Sequence, residues 1–255
     1  MPAGETKTLL LRKKVYPVPL SFAWRVTHFI PYLIGGSTFF IGSLCYFTTG
    51  TVLAGNYELG GWLFTIGSVG FLFADIFEWN TNNRIGCWDN SDERKEWEQL
   101  NAGFASNGKK SALRSLGPAW VRAENGINFA QSALGSLLYL IGSVLFIPEL
   151  DAIVLGTYIF IVGSAVIFTS QAWKLYRYES YSDDVPAVNV DAWAGIGGVA
   201  YCVGSVKFLP AYDLNDAATN TAAAWFTLGG LSFFLSGLFI YYRYFVASPP
   251  MYETA

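Results

Sequence analysis

The sequence predicts an all-α polytopic membrane protein whose six transmembrane helices form three helical hairpins. Three observations carry that prediction. Hydrophobic residues make up 53% of the 255 residues, aromatic residues 17% and charged residues only 14%, where soluble domains carry about 25% charge; the mean hydropathy is +0.34. Six segments approach twenty mainly apolar residues, the length needed to cross a hydrocarbon core about 30 Å thick at 1.5 Å per residue. The basic residues, finally, cluster in alternate connections, a distribution that a bilayer imposes and a soluble core does not.

Residues 1–28 form a basic amphipathic arm with Lys7, Arg12, Lys13, Lys14 and Arg25. Its apolar run is too short for a secretory signal and the basic cluster follows that run, so no cleavable leader is expected. Hairpin 1, residues 29–79, contains spans Phe29–Thr48 and Leu59–Trp79. A polar and amphipathic connection, 80–126, includes NSDERKEWEQLNAG, which reads as a short helix capped by Asn90 and Glu93, ended by Gly103 and bearing Trp97, Leu100 and Phe104 on one face. Hairpin 2, residues 127–177, holds spans Ile127–Ile147 and Ala152–Trp173. An acidic linker, 178–191, leads to hairpin 3, residues 192–246, with spans Ala192–Ala211 and Thr221–Val246, and residues 247–255 are a tail. Pro148 and Pro210 mark helix ends, because proline lacks the backbone donor that continues a helix. None of the segments alternates apolar and polar residues as barrel strands do.

Fifteen of the sixteen Lys and Arg residues fall in the arm, the 80–126 connection or the ends of spans four and six, and the opposite loops hold Glu58, Glu149, Asp151, Asp213 and Asp216. Lys207 is the exception. The chain is therefore expected to be multi-pass with both termini on the cytoplasmic or equivalent positive side. Trp24, Arg25, Trp120 and Arg122 are expected as interfacial anchors, and Lys207 as a residue snorkelling outward at the far side. The net charge of −3 and the absence of a basic stripe exclude nucleic acid as a partner.

The spans also repeat one another. LIGGSTFFIGSLCYF, SALGSLLYLIGSVLFIP and AGIGGVAYCVGSVKFLP align on glycines seven residues apart: Gly35 with Gly42, Gly135 with Gly142, Gly197 with Gly204. The even spans show Gly60 with Gly67, Gly156 with Gly163, and Gly230 with Gly237. Aromatic residues follow each first glycine by four (Phe39, Phe64, Tyr139, Phe160, Tyr201, Phe234) and, Ile167 apart, by eleven (Tyr46, Phe71, Phe146, Phe208, Tyr241). Offsets of 0, 4, 7 and 11 lie on one helical stripe, so these twelve glycines are the expected helix-packing positions, where a neighbouring backbone comes close and rings fill the space around it. The pattern points to triplication of a two-helix unit.

The second hairpin, ALGSLLYLIGSVLFIP through GTYIFIVGSAVIFTSQAWKLYR, resembles the YrhK-like domain, a two-helix membrane unit; GGSTFFIGS and GGWLFTIGS of the first hairpin fit less tightly, and the third is the most degraded. The resemblance implies architecture and adds no catalytic residue.

Chemistry is sparse. His28 is the only histidine, and no paired His, clustered Cys and His, phosphate loop or dinucleotide fingerprint occurs. Cys45, Cys87 and Cys202 lack CxxC spacing and read as small hydrophobes. Asp75 and Glu78 fall in the last turns of span two and read as interfacial anchors. No catalytic residue, cofactor or metal is expected. The function expected is a scaffold or accessory subunit of a larger membrane complex, with lipids and either other membrane subunits or further copies of the chain as partners; the alternative is a small repeat-built transporter or channel.

Overall fold

A computed structural model describes residues 22–87, 118–177, 184–212 and 215–247, with side chains not described at 81–87 and 118–125. The described residues are helical and contain no strand. Helices α1 (Phe22–Leu44), α2 (Tyr57–Cys87), α3 (Pro118–Leu145), α4 (Ile153–Arg177), α5 (Val185–Lys207) and α6 (Asp216–Tyr241) are joined by short loops or by segments outside the described residues, and α6 continues into a π-helical turn, Tyr242–Ala247. The expected amphipathic helix from Asn90 to Gly103 lies outside the described residues.

Local chemistry sets the helix ends. α3 and α5 stop where expected, each followed by a proline-led 3-10 turn, Pro148–Leu150 and Pro210–Tyr212. Asn215 caps α6 by accepting from the Ala218 N–H at 2.9 Å, and Asp184 caps α5 by accepting from the Ala187 N–H at 3.1 Å. With that cap α5 begins at Val185, so the last residues of the segment expected as an acidic linker are helix. The α1–α2 loop turns through Gly50 and Gly55, both at positive φ.

Four helices, α2, α3, α4 and α6, are long and apolar enough to cross a membrane. α1 and α5 match them in packing but are diluted by Gly, Ser, Tyr, Trp and single charges such as Arg25 and Asp191.

Each helix packs against its two sequence neighbours, and α6 packs against α1, so the six form a closed ring. Rings of a different kind fill its axis. Phe39, Phe64, Tyr139, Phe160, Tyr201 and Phe226, one from each helix, are all 0% exposed. Phe39 touches aromatic rings from all five other helices, with centroids 5.0 Å from Phe64, 5.5 Å from Tyr139, 6.4 Å from Phe160, 5.2 Å from Tyr201 and 6.1 Å from Phe233. Pairs of this geometry contribute about 0.5–1.5 kcal/mol each beyond their buried area. The outer surface carries aliphatic residues on every helix, with Ile34 and Ile41 on α1, Ile66 and Val69 on α2, Leu137 and Ile141 on α3, Val162 on α4, Ile196 and Val199 on α5, and Leu231 and Leu238 on α6 all exposed, beside exposed rings such as Trp62, Phe73, Tyr158 and Phe168.

Within each hairpin the seam glycines face the partner's rings. A Cβ added at Gly35 would stand 2.7 Å from the Phe71 ring, at Gly42 3.0 Å from Phe64, at Gly60 2.6 Å from Tyr46 and at Gly67 2.5 Å from Phe39. The second hairpin repeats this: Gly135 faces Ile167, Gly142 faces Phe160, Gly156 faces Phe146 and Gly163 faces Tyr139. In the third, Gly197 faces Phe233, Gly204 faces Phe226 and Gly229 faces Tyr201.

Helix α6 therefore departs from the expected register. Its inward stripe is Ala222, Phe226, Gly229 and Phe233, with Ala222 fully buried in the place of a glycine. Gly230 and Gly237 face α1, against the Phe40 backbone and Leu33 respectively, while Phe234 is half-buried and Tyr241 exposed. The alanine explains the slip. A register keyed on glycine pairs passes over Ala222 and settles on the next pair eight residues on, which turns the assigned face by about 80° at 100° per residue.

Four of the five serines that follow a second glycine bond across helices, and the fifth, Ser205, is buried with its Oγ unbonded. Ser43 meets the Tyr201 hydroxyl at 2.9 Å, Ser68 meets Ser143 at 2.9 Å, and Ser164 meets the Tyr139 hydroxyl at 2.9 Å. Removed from water, these hydroxyls satisfy each other and fix the rotation of their helices.

Candidate functional site

The lumen-filling stripe continues toward the end of the ring where α1 begins and α6 finishes, and there rings give way to polar groups. On α2, Asp75 and Glu78 lie fifteen and eighteen residues after Gly60, and on α4 Gln171 and Lys174 lie at the same offsets from Gly156. On the odd helices the stripe runs back seven residues from the first glycine, to His28 in α1, Asn128 in α3 and Val190 in α5. All of these, with Tyr32, Ile240 and Tyr244, line a cavity of about 360 Å³ to which every helix contributes. Hairpins 1 and 2 supply most of its polar surface, and Ala187, Val190 and Ile240 give it an apolar wall.

Lys174 is the electrostatic centre. Its Nζ lies 4.0 Å from Glu78 Oε2 and 3.9 Å from Asp191 Oδ1, and 5.3 Å from the centre of the Phe129 ring. Both ion pairs are at the long limit of contact, so the ammonium is shared between two carboxylates. Asp75, one turn deeper, accepts a hydrogen bond from the buried Ser136 hydroxyl across the α2–α3 contact.

The rim is held by the π-helical turn, whose extra residue per turn brings Tyr244 to the interior at 7% exposure. Tyr244 pairs its hydroxyl with His28 Nδ1 at 3.2 Å, and its carbonyl accepts from Arg25 Nη1 at 2.6 Å. Arg243 donates twice to Asp184 Oδ2, at 2.8 and 3.1 Å, tying this turn to the cap of α5.

Asn128 is 3% exposed. Its Nδ2 donates to the Ser170 carbonyl at 3.0 Å, which fixes the orientation of the amide because only nitrogen can donate there. Its Oδ1, buried beside the cavity, has no hydrogen-bond partner. Among the described residues no three His, Cys, Asp or Glu side chains come together as a metal site.

The structure turns Asp75 and Glu78, expected as anchors at the membrane surface, into the ring. Trp24 stacks on His28 at 5.2 Å and 15° and is half-buried there; Arg25 is bound to the Tyr244 carbonyl. Lys207 ends α5 at the opposite end of the ring and makes no ion pair among the described residues. Trp120 and Arg122 lie in α3, with side chains outside the described residues. Sequence reasoning leaves out Asn128, Gln171, Lys174 and Asp191 as a group. Extending the glycine and aromatic stripe by about two further turns, to offsets 15 and 18 on even helices and −7 on odd ones, would assemble most of them.

Residues 23–76 match the model of the YrhK-like protein family. The match falls on the first hairpin and not on the second, which the motifs had ranked as the better fit, so that ranking is corrected. No curated protein and no solved structure matches the chain.

Proposed function

We propose that the chain is a six-span integral membrane protein, built by triplication of a YrhK-like two-helix unit, that serves as a non-catalytic structural or accessory subunit of a larger membrane complex. The carrying observation is the aromatic plug: six fully buried rings, one from each helix, fill the middle of the ring among the described residues. Transporters place broken helices and polar groups at mid-membrane, and here the middle is Phe39 and its neighbours.

Packing supports six spans. α1 sits between α2 and α6, and α5 between α4 and α6, level with helices apolar enough to cross. Their outward residues, Ile34, Ile41, Ile196 and Val199, continue the aliphatic belt, so immersing four helices immerses all six. The positive-inside distribution then puts both termini on the cytoplasmic or equivalent side. Single-cysteine probes at Ser91 and near both termini are expected to label from one face of sealed vesicles, and probes at Asn56, Asp151 and Asn215 from the other. Labelling of the two termini from opposite faces would refute the topology.

An accessory subunit is expected to migrate, after mild extraction from its native membrane, in an assembly larger than one chain, and to give no proton or cation flux in liposomes. The polar cavity favours a second reading, a transporter caught with one side open. Flux abolished by Asp75→Asn would establish that reading and remove the first.

A further inference from the structure

We propose that the polar cavity at the terminal end of the ring is a binding site for a small organic ammonium compound, a primary amine with an apolar body. The inference goes beyond a structural role. It rests on three features of the cavity lining.

The first is an orphan acceptor. Asn128 is almost wholly buried, its nitrogen is committed to the Ser170 carbonyl, and its Oδ1 has no partner. A buried amide oxygen left unbonded is unfavourable, and a ligand bearing N–H donors would satisfy it.

The second is the charge arrangement. Three cations line the cavity: Lys174 is shared between Glu78 and Asp191, Arg243 is engaged by Asp184, and Arg177 ends α4. Asp75 accepts the neutral Ser136 hydroxyl, and the charge of Lys174 reaches it without an ion pair among the described residues. Asn128 and Asp75 stand on neighbouring helices α3 and α2, and in the shared register of the repeats Asp75 is one turn deeper than the level of His28, Glu78, Asn128 and Lys174. The α2–α3 side of the cavity thus offers an ammonium one charged and one neutral acceptor, Asp75 and the Asn128 oxygen, whereas a carboxylate on that side would be repelled by Asp75.

The third is the opposite wall. The side chains of Val190, Ile240 and Ala187 present only carbon where hairpins 1 and 2 present polar groups. The six helix ends therefore enclose an uneven space, in which this carbon surface lies beside Asp191 and Arg243 of the third hairpin, of the size that takes a small molecule. An amine with a hydrocarbon or aryl body fits both sides.

The test uses the full chain purified in detergent, titrated calorimetrically with phenethylamine and, as controls of matched shape, 2-phenylethanol and 3-phenylpropionate. Phenethylamine is expected to bind and the two controls to bind at least about tenfold more weakly, as the loss of a charge-assisted hydrogen bond implies. Asp75→Asn, which keeps a partner for Ser136, is expected to lower amine affinity on the order of tenfold, and Ile240→Trp, which fills the apolar side, to abolish it. Should Asp75→Asn fail to fold, the selectivity of the unaltered protein and Ile240→Trp still decide. No amine binding, stronger binding of the carboxylate, or amine binding indifferent to both substitutions would each overturn the site.

Discussion

Gly142→Leu is expected to destabilise the detergent-solubilised protein by about 1–3 kcal/mol, the usual range for overpacking, and to dissociate any native assembly with it. A side chain at Gly142 points into the Phe160 ring and lies 3.3 Å from the Gly156 carbonyl. The ring cannot swing aside: it is fully buried, with centroids 4.8 Å from Tyr139, 5.0 Å from Phe146 and 5.9 Å from Phe64. Leu at Ala152, half-buried in the turn before α4, should be tolerated. The same logic separates two glycines in α6. Gly229→Ala should be costly, because its Cβ meets Tyr201 at 2.5 Å and the Gly197 carbonyl at 3.2 Å, whereas Gly237→Ala meets first the end of the Leu33 side chain at 3.3 Å and should be mild. Thermal melts of these variants check both the lock and its register; equal tolerance at Gly142 and Ala152 would show that the seam is not a packing code.

Lys174→Met should do still more harm. Removing one partner of a buried ion pair typically costs about 3–5 kcal/mol because the other charge is left alone. Here the side chains of Lys174 and Asp191 are 19% and 9% exposed and Glu78 is 28% exposed, so the lower end of that range is expected after allowance for solvent screening. Two carboxylates would then face each other, with Asp75 nearby. Neutralising one of them in the background of the first change, as in Lys174→Met with Asp191→Asn, should recover part of the loss. A double variant no more stable than the single one would mean that Lys174 acts through its packing on Phe129 and not through its charge.

The heptad-spaced glycines and aromatics make the ring's interior legible in the sequence, since a residue's face on a helix follows from spacing alone. Gly35 to Tyr46 and Gly156 to Ile167 turn inward as that spacing requires. Helix α6 escapes the pattern because Ala222 fills a glycine's place without spelling it. The cavity is hidden for a different reason. Its groups come one or two per helix, and each one taken singly resembles a polar residue at a membrane surface; Asp75 or Lys174 declares itself only when six helix ends are brought together. Nor can spacing reveal that the Asn128 oxygen goes unbonded, since that depends on the Ser170 carbonyl in the next helix.

Closure of the ring also dictates an order of events during synthesis. Five of the six contacts around the ring join consecutive helices, but the contact between α1 and α6 waits until the last of the six is made. Until then Gly36, which receives the Phe233 and Phe234 backbone, has no partner, and the bond between Ser43 and Tyr201 cannot form before the third hairpin arrives. The newborn chain thus holds an open arc with Phe39 at its unfinished edge, and the seal comes in one late step that joins the two ends of the sequence.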